Sequence, residues 1–119
     1  MTVTETAREY VRGRIETQYT KMDIGEAGGS TDISQDNLFV SITSAASESL
    51  LSCTITTSTD NQIEYSATVS GSTFAGYIIR EVGIMATDGN SMLSRIAIDP
   101  LGPLDNTKTY EIKVILEVE

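Results

Sequence analysis

The side chains of this 119-residue chain that can do chemistry are 17 carboxylates, eight lysine and arginine cations and one thiol, with no histidine. Without imidazole the chain lacks the commonest general base near neutral pH and the commonest zinc ligand, which excludes triad-type hydrolysis and most zinc chemistry. Cys53 is the only cysteine, so no internal disulfide forms. In Leu51-Ser-Cys-Thr-Ile55 it falls on an apolar alternation and reads as a small buried group. Glu81 stands out because it sits inside the apolar run Ile79-Arg-Glu-Val-Gly-Ile84. A lone carboxylate with no second matched acid does not complete an acid–base pair, so its expected role is structural. There it needs donors, which Arg80, Arg95 or backbone N–H groups of a glycine-rich loop can supply. That loop, residues 25–37, holds Glu26, Asp32 and Asp36. Their spacing misses the helix–loop–helix calcium pattern, and turn-capping by Asx and Ser side chains is the reading adopted. No catalytic, cofactor-binding or metal-binding residue is therefore assigned, and no cofactor is expected.

The elements that position these groups are mostly strands. The densest apolar stretch, Tyr77–Thr87, ends in the hairpin turn Asp88-Gly89-Asn90. Alternation places Ile78, Val82, Ile84 and Ala86 on one face and Tyr77, Ile79, Glu81, Gly83 and Met85 on the other. Two apolar faces predict a central strand, on which Ile79, Glu81, Val82, Gly83 and Ile84 form a structural motif. A glycine inside such a strand predicts close approach of another group at Gly83. Met92, Ser94, Ile96 and Ile98 alternate back along it. Further strands are expected at 18–24, 37–44, 50–57, 62–70 and 108–119, with a turn at 58–61. The two prolines of residues 99–107 make that segment a stiff connector rather than a strand.

One helix is expected, over residues 2–16. Thr2 and Glu5 have the spacing of a capping box, and Val3, Ala7, Tyr10, Val11 and Ile15 share one apolar stripe. Glu5 with Arg8 and Glu9 with Arg12 form a solvated, charge-paired face. Gly13 predicts fraying or an early end. The stripe must dock either on the chain's own sheet or on a neighbouring subunit. The predicted fold is thus mainly β. It is one domain, residues 1–119, with an N-terminal helical segment 1–17 and a β-rich body 18–119. The body is an antiparallel sandwich or flattened barrel of about seven strands.

Charge narrows the partners. Residues 1–24 carry four acids and four bases, so the whole net charge of −9 lies beyond them. An acidic surface repels phosphate backbones, and no nucleic-acid partner is expected. No apolar run is long enough to span a membrane, so a soluble, cytoplasmically made protein without a membrane partner is expected.

Three segments, taken in order, resemble the N-terminal domain of tailed-phage tail-collar fibre and related tail-fibre or baseplate proteins. The first runs from Ala7–Ile15 through Tyr19–Gly29 to Asp36-Asn-Leu38. The second is Ile79-Arg-Glu-Val-Gly-Ile84, followed by Asp88-Gly89. The third is a closing strand after Pro103, from Lys108 to Val118. The chain departs from that pattern at Gly25-Glu-Ala-Gly-Gly29 and at Met85, and it stops at Glu119 where a collar fibre continues into a shaft. The resemblance implies a non-enzymatic virion structural protein of a tailed virus of bacteria or archaea, located in the tail. Its place would be the tail tip, the baseplate or the fibre attachment, with other tail proteins as partners. It also implies a homo-oligomer, a trimer by preference, with Val3, Ala7, Tyr10, Val11 and Ile15 as the interface. The alternative is a carbohydrate-binding or adhesion module on a sandwich face.

Overall fold

The computed structural model describes residues 4–26, 40–59 and 62–117. Their seven strands lie in two antiparallel sheets that pack face to face, with one N-terminal helix. The four-stranded sheet contains β1 (Lys21–Gly25), β2 (Leu51–Ser52), β5 (Ile79–Met85) and β6 (Met92–Leu101), in the order β2-β1-β5-β6. The three-stranded sheet contains β3 (Thr54–Thr59), β4 (Gln62–Ser70) and β7 (Thr109–Glu117), in the order β3-β4-β7. The sheets do not close into a barrel, which leaves the sandwich form of the expectation.

Alternation built the three-stranded sheet as expected. Ile63, Tyr65, Ala67 and Val69 of β4 are buried, and Ile112 and Val114 of β7 join them across an unbroken register from Gln62↔Glu117 to Ser70↔Thr109. Met22 and Ile24 of β1 and Ile79, Val82 and Ile84 of β5 meet them from the other sheet. β5 is central, paired with β1 on one side and β6 on the other. The expected face assignment of β5 needs one correction. Ile79 belongs to the core with Val82 and Ile84, because the ladder to β6 shifts register between Ile79 and Glu81. A bulge of this kind turns a side chain to the opposite face. The hairpin turn is as expected, with Gly89 at φ +77 and the Asn90 amide donating to Asp88 Oδ1 at 2.9 Å.

Four segments differ from expectation. The helix α1 spans Glu5–Gln18 and is capped by Thr4, whose hydroxyl accepts from the Ala7 amide at 3.2 Å. Thr2 and Val3 lie outside the described residues. Gly13 does not end the helix, since an isolated glycine costs only about 1 kcal/mol against the remaining helical bonds. The strand expected at 37–44 is instead a bridge at Ser41 followed by a short helix α2 (Ile42–Ala45). Ser41 caps it by accepting from the Ser44 amide, which diverts the backbone from a ladder. Residues 37–39 and the glycine-rich loop beyond Glu26 lie outside the description, as do residues 60–61 of the expected turn and Val118.

The run 50–57 is one periodic stretch in sequence but two strands in space. Leu51 and Ser52 pair with β1, and from Thr54 onward the chain pairs with β4. Cys53 stands at the crossing, where its amide donates to Thr20 O at 3.1 Å. Finally, β6 continues through Asp99, Pro100 and Leu101, which were expected to be connector. The proline is tolerated because β6 is an edge strand, and one side of its backbone needs no ladder donor.

Candidate functional site

The motif strand carries a buried polar row on the face opposite the core. In register across the sheet, Gly25, Glu81 and Ala97 form one rank, and Asp23, Gly83 and Arg95 the next. Glu81 is fully buried and Arg95 nearly so. Arg95 Nε donates to Glu81 Oε2 at 2.7 Å, and Nη2 makes a second contact to the same oxygen. Of the donors proposed for Glu81, Arg95 reaches it, while the glycine-rich loop beyond Glu26 lies outside the described residues. Arg80 instead turns its Nη1 to the Glu26 carbonyl, while Glu26 Oε1 accepts from the Ile78 amide. Glu81 Oε1 is buried without a hydrogen-bond partner among the described residues. It lies against Gly25, where an added Cβ would come within 2.6 Å of Glu81 Cγ and 2.8 Å of Cδ. Gly25 is therefore the space that the carboxylate occupies. Gly83 stands between Asp23 and Arg95 in register.

Asp23 was not singled out in the sequence, although an acid amid Met22 and Ile24 was a signal of the same kind as Glu81. It is buried and accepts from the Ile24 amide at 2.9 Å, Ser41 Oγ at 2.7 Å and Thr43 Oγ1 at 2.6 Å. These bonds tie α2 to β1. Both acids are committed to intramolecular donors, and among the described residues no three carboxylate or thiol groups converge as a metal site would require.

The thiol and a phenol share the other buried polar region. Burial pushes the Cys53 thiol up to about 11, opposed by the nearby Lys21 ammonium. Burial also pushes the Tyr65 phenol up to about 12, with the charges of Cys53 and Glu16 adding to the effect. A thiol held protonated in this way is a poor nucleophile. A cleft of about 800 Å³ is lined by Lys21, Asp23, Ser41, Thr43, Glu48 and Asp88 among others. It is open and hydroxyl-rich, and Asp23 faces it already satisfied.

The helix stripe is divided. Ile15 is half-buried and packs against the core, and Glu16 accepts from Thr57 Oγ1 of β3, so the last turns are seated on the sandwich. Ala7, Tyr10 and Val11 are exposed, Tyr10 by 69% and Val11 by 42%. No residue of α1 is fully buried. Among the described residues no helix is long and apolar enough to cross a membrane. The sequence matches no protein-family model and no curated protein.

Proposed function

We propose that this chain is an assembly subunit, a structural component of a tailed-virus tail tip, baseplate or fibre attachment, which works through protein–protein contacts rather than catalysis. The observation that carries the assembly reading is α1. A helix of 14 residues with no buried side chain is marginal by itself in water, and its exposed Tyr10 and Val11 gain a seat if another subunit covers them. The placement in a viral tail rests on the resemblance of the motif strand, the opening helix and the closing strand to tail-collar proteins. The burial and mutual pairing of Glu81 and Arg95 support a scaffold role. By analogy with threefold tail fibres, α1 is the contact of a trimer.

The carbohydrate-binding alternative has less support, because sugar rings stack on exposed aromatics and Tyr10 is the only exposed one among the described residues. The test is the mass of the full chain in solution beside the variant Tyr10→Asp/Val11→Asp. The expected result is a multiple of three chains for the parent and loss of the threefold step in the variant, with its circular dichroism unchanged. A parent that is monomeric at micromolar concentration overturns the reading.

A further inference from the structure

A two-sheet sandwich has four edges, and three of them here carry features that discourage another strand. β2 is two residues long. β3 shifts register between Thr57 and Thr59. β6 holds Pro100, and its ladder is displaced at two places. β7 has none of these features. It runs for nine residues with no proline and no register shift, and it turns Tyr110, Ile112, Val114 and Leu116 toward the core. Among the described residues it pairs only with β4. Its outward row, Thr109, Glu111, Lys113, Ile115 and Glu117, is exposed, Ile115 by 64%.

We propose that β7 is the seat of a second copy of this chain, joined antiparallel about a two-fold axis through Ile112. The two three-stranded sheets then become one sheet of twice the width. The charge row selects this partner and this register. Side chains keep to their own face only if residues of like parity oppose one another, so the axis must pass through a residue. Axes through Ile112, Lys113 or Val114 engage most of Thr109–Glu117 on both copies. An axis at Lys113 sets Lys113 against itself, and an axis at Val114 sets Glu111 against the partner's Glu117 twice. Only the axis at Ile112 matches opposite charges, with Glu111 facing the partner's Lys113 twice. It also places Ile115 beside the partner's Thr109, which covers part of the most exposed apolar side chain of the sheet.

Lys113 is free to take this role. Its side chain is 59% exposed and rests 3.4 Å from Glu111 and 3.7 Å from Glu64 of its own chain. The contact is also separate from that of α1, because Glu16 binds β3, at the opposite edge of the same sheet.

The experiment is sedimentation equilibrium of the full chain and of charge-reversal variants over a concentration series. Lys113→Glu puts Glu opposite Glu, and Glu111→Lys puts Lys opposite Lys. Each is expected to weaken the two-fold step by at least about tenfold, since two attractive cross-strand pairs become repulsive. The swap Glu111→Lys/Lys113→Glu re-creates both pairs and should restore the parent affinity. In Tyr10→Asp/Val11→Asp the two-fold step should persist, which separates this contact from the helix contact. Parent-like association of both single variants, failure of the swap to restore a folded chain's association, or absence of any two-fold step in the parent would each overturn the proposal.

Discussion

Replacing Arg95 by methionine tests whether the polar row behind the core is held by one ion pair. All the hydrogen bonds described for Glu81 come from Arg95 Nε and Nη2, both to Oε2, while Oε1 has no partner among the described residues. Methionine keeps much of the arginine stem's volume but leaves a fully buried carboxylate with no donor among the described residues. Stranding one member of such a pair costs about 3–5 kcal/mol, because the charge still bears its full desolvation. Domains of this size are stable by about 5–15 kcal/mol, so the loss is a large share of the total. The double variant Arg95→Met/Glu81→Leu removes both charges and keeps an apolar group of similar size over Gly25. It should recover most of the loss, since replacing a whole buried pair by packed apolar groups is often neutral. Urea unfolding followed by circular dichroism reads both values, with the slope checked for constancy. A single variant within about 1 kcal/mol of the parent would refute the claim that Arg95 is what makes Glu81 tolerable.

Four further outcomes are expected. Gly25→Ala should destabilise by about 1–3 kcal/mol through its clash with the Glu81 side chain. Gly71→Ala should cost more, because its Cβ would meet backbone at Asp105 and Lys108, 2.5 Å from Lys108 O, and backbone cannot rotate aside; denaturant midpoints rank the two. Gly13→Ala meets no atom within 4 Å and should stabilise the chain by up to about 1 kcal/mol, read as a raised helical signal and melting temperature. Stability should fall from about pH 9 to about 12. The folded-state values of Cys53 (about 11) and Tyr65 (about 12) lie above their ordinary ones, so the folded state holds these protons longer and the gain is lost as pH rises through that window. Thermal melts that stay flat across this range, or rapid alkylation of Cys53 at pH 8, would contradict the burial argument.

Much of this architecture was legible in the sequence where one period decides one face. β4 and β7 alternate cleanly and pair over their full length, and Asp88-Gly89-Asn90 fixed the β5–β6 hairpin by local turn chemistry. Glu81 was readable as a structural acid from its apolar neighbours, and Arg95 was among its named donors. What escaped depended on neighbours rather than period. Side-chain alternation runs unbroken through Cys53, so nothing local says that the ladder changes sheets there. Pro100 reads as a breaker until the edge position of β6 is known. Val40 and Ile42 suggested a strand, but the Ser41 hydroxyl captured an amide and started a helical turn. The bulge that sends Ile79 to the core is likewise a property of the β5–β6 pair, not of either strand alone.

The strand that leaves one sheet and enters the other at Cys53 works like the spine of a book. On that flank the covers are joined by covalent backbone, because Leu51–Ser52 is bonded to β1 and Thr54–Thr59 to β4 within a single run. Sliding one sheet over the other would have to stretch that run, so the chain resists shear there without a disulfide. On the opposite flank β6 passes to β7 through the seven-residue connector 102–108, a longer and slacker join than the single residue Cys53. Under load the sandwich should therefore gape from the β6–β7 side and turn about Cys53. Amides of β6 and β7 should then exchange with solvent at lower force, and sooner, than those of β1 and β4.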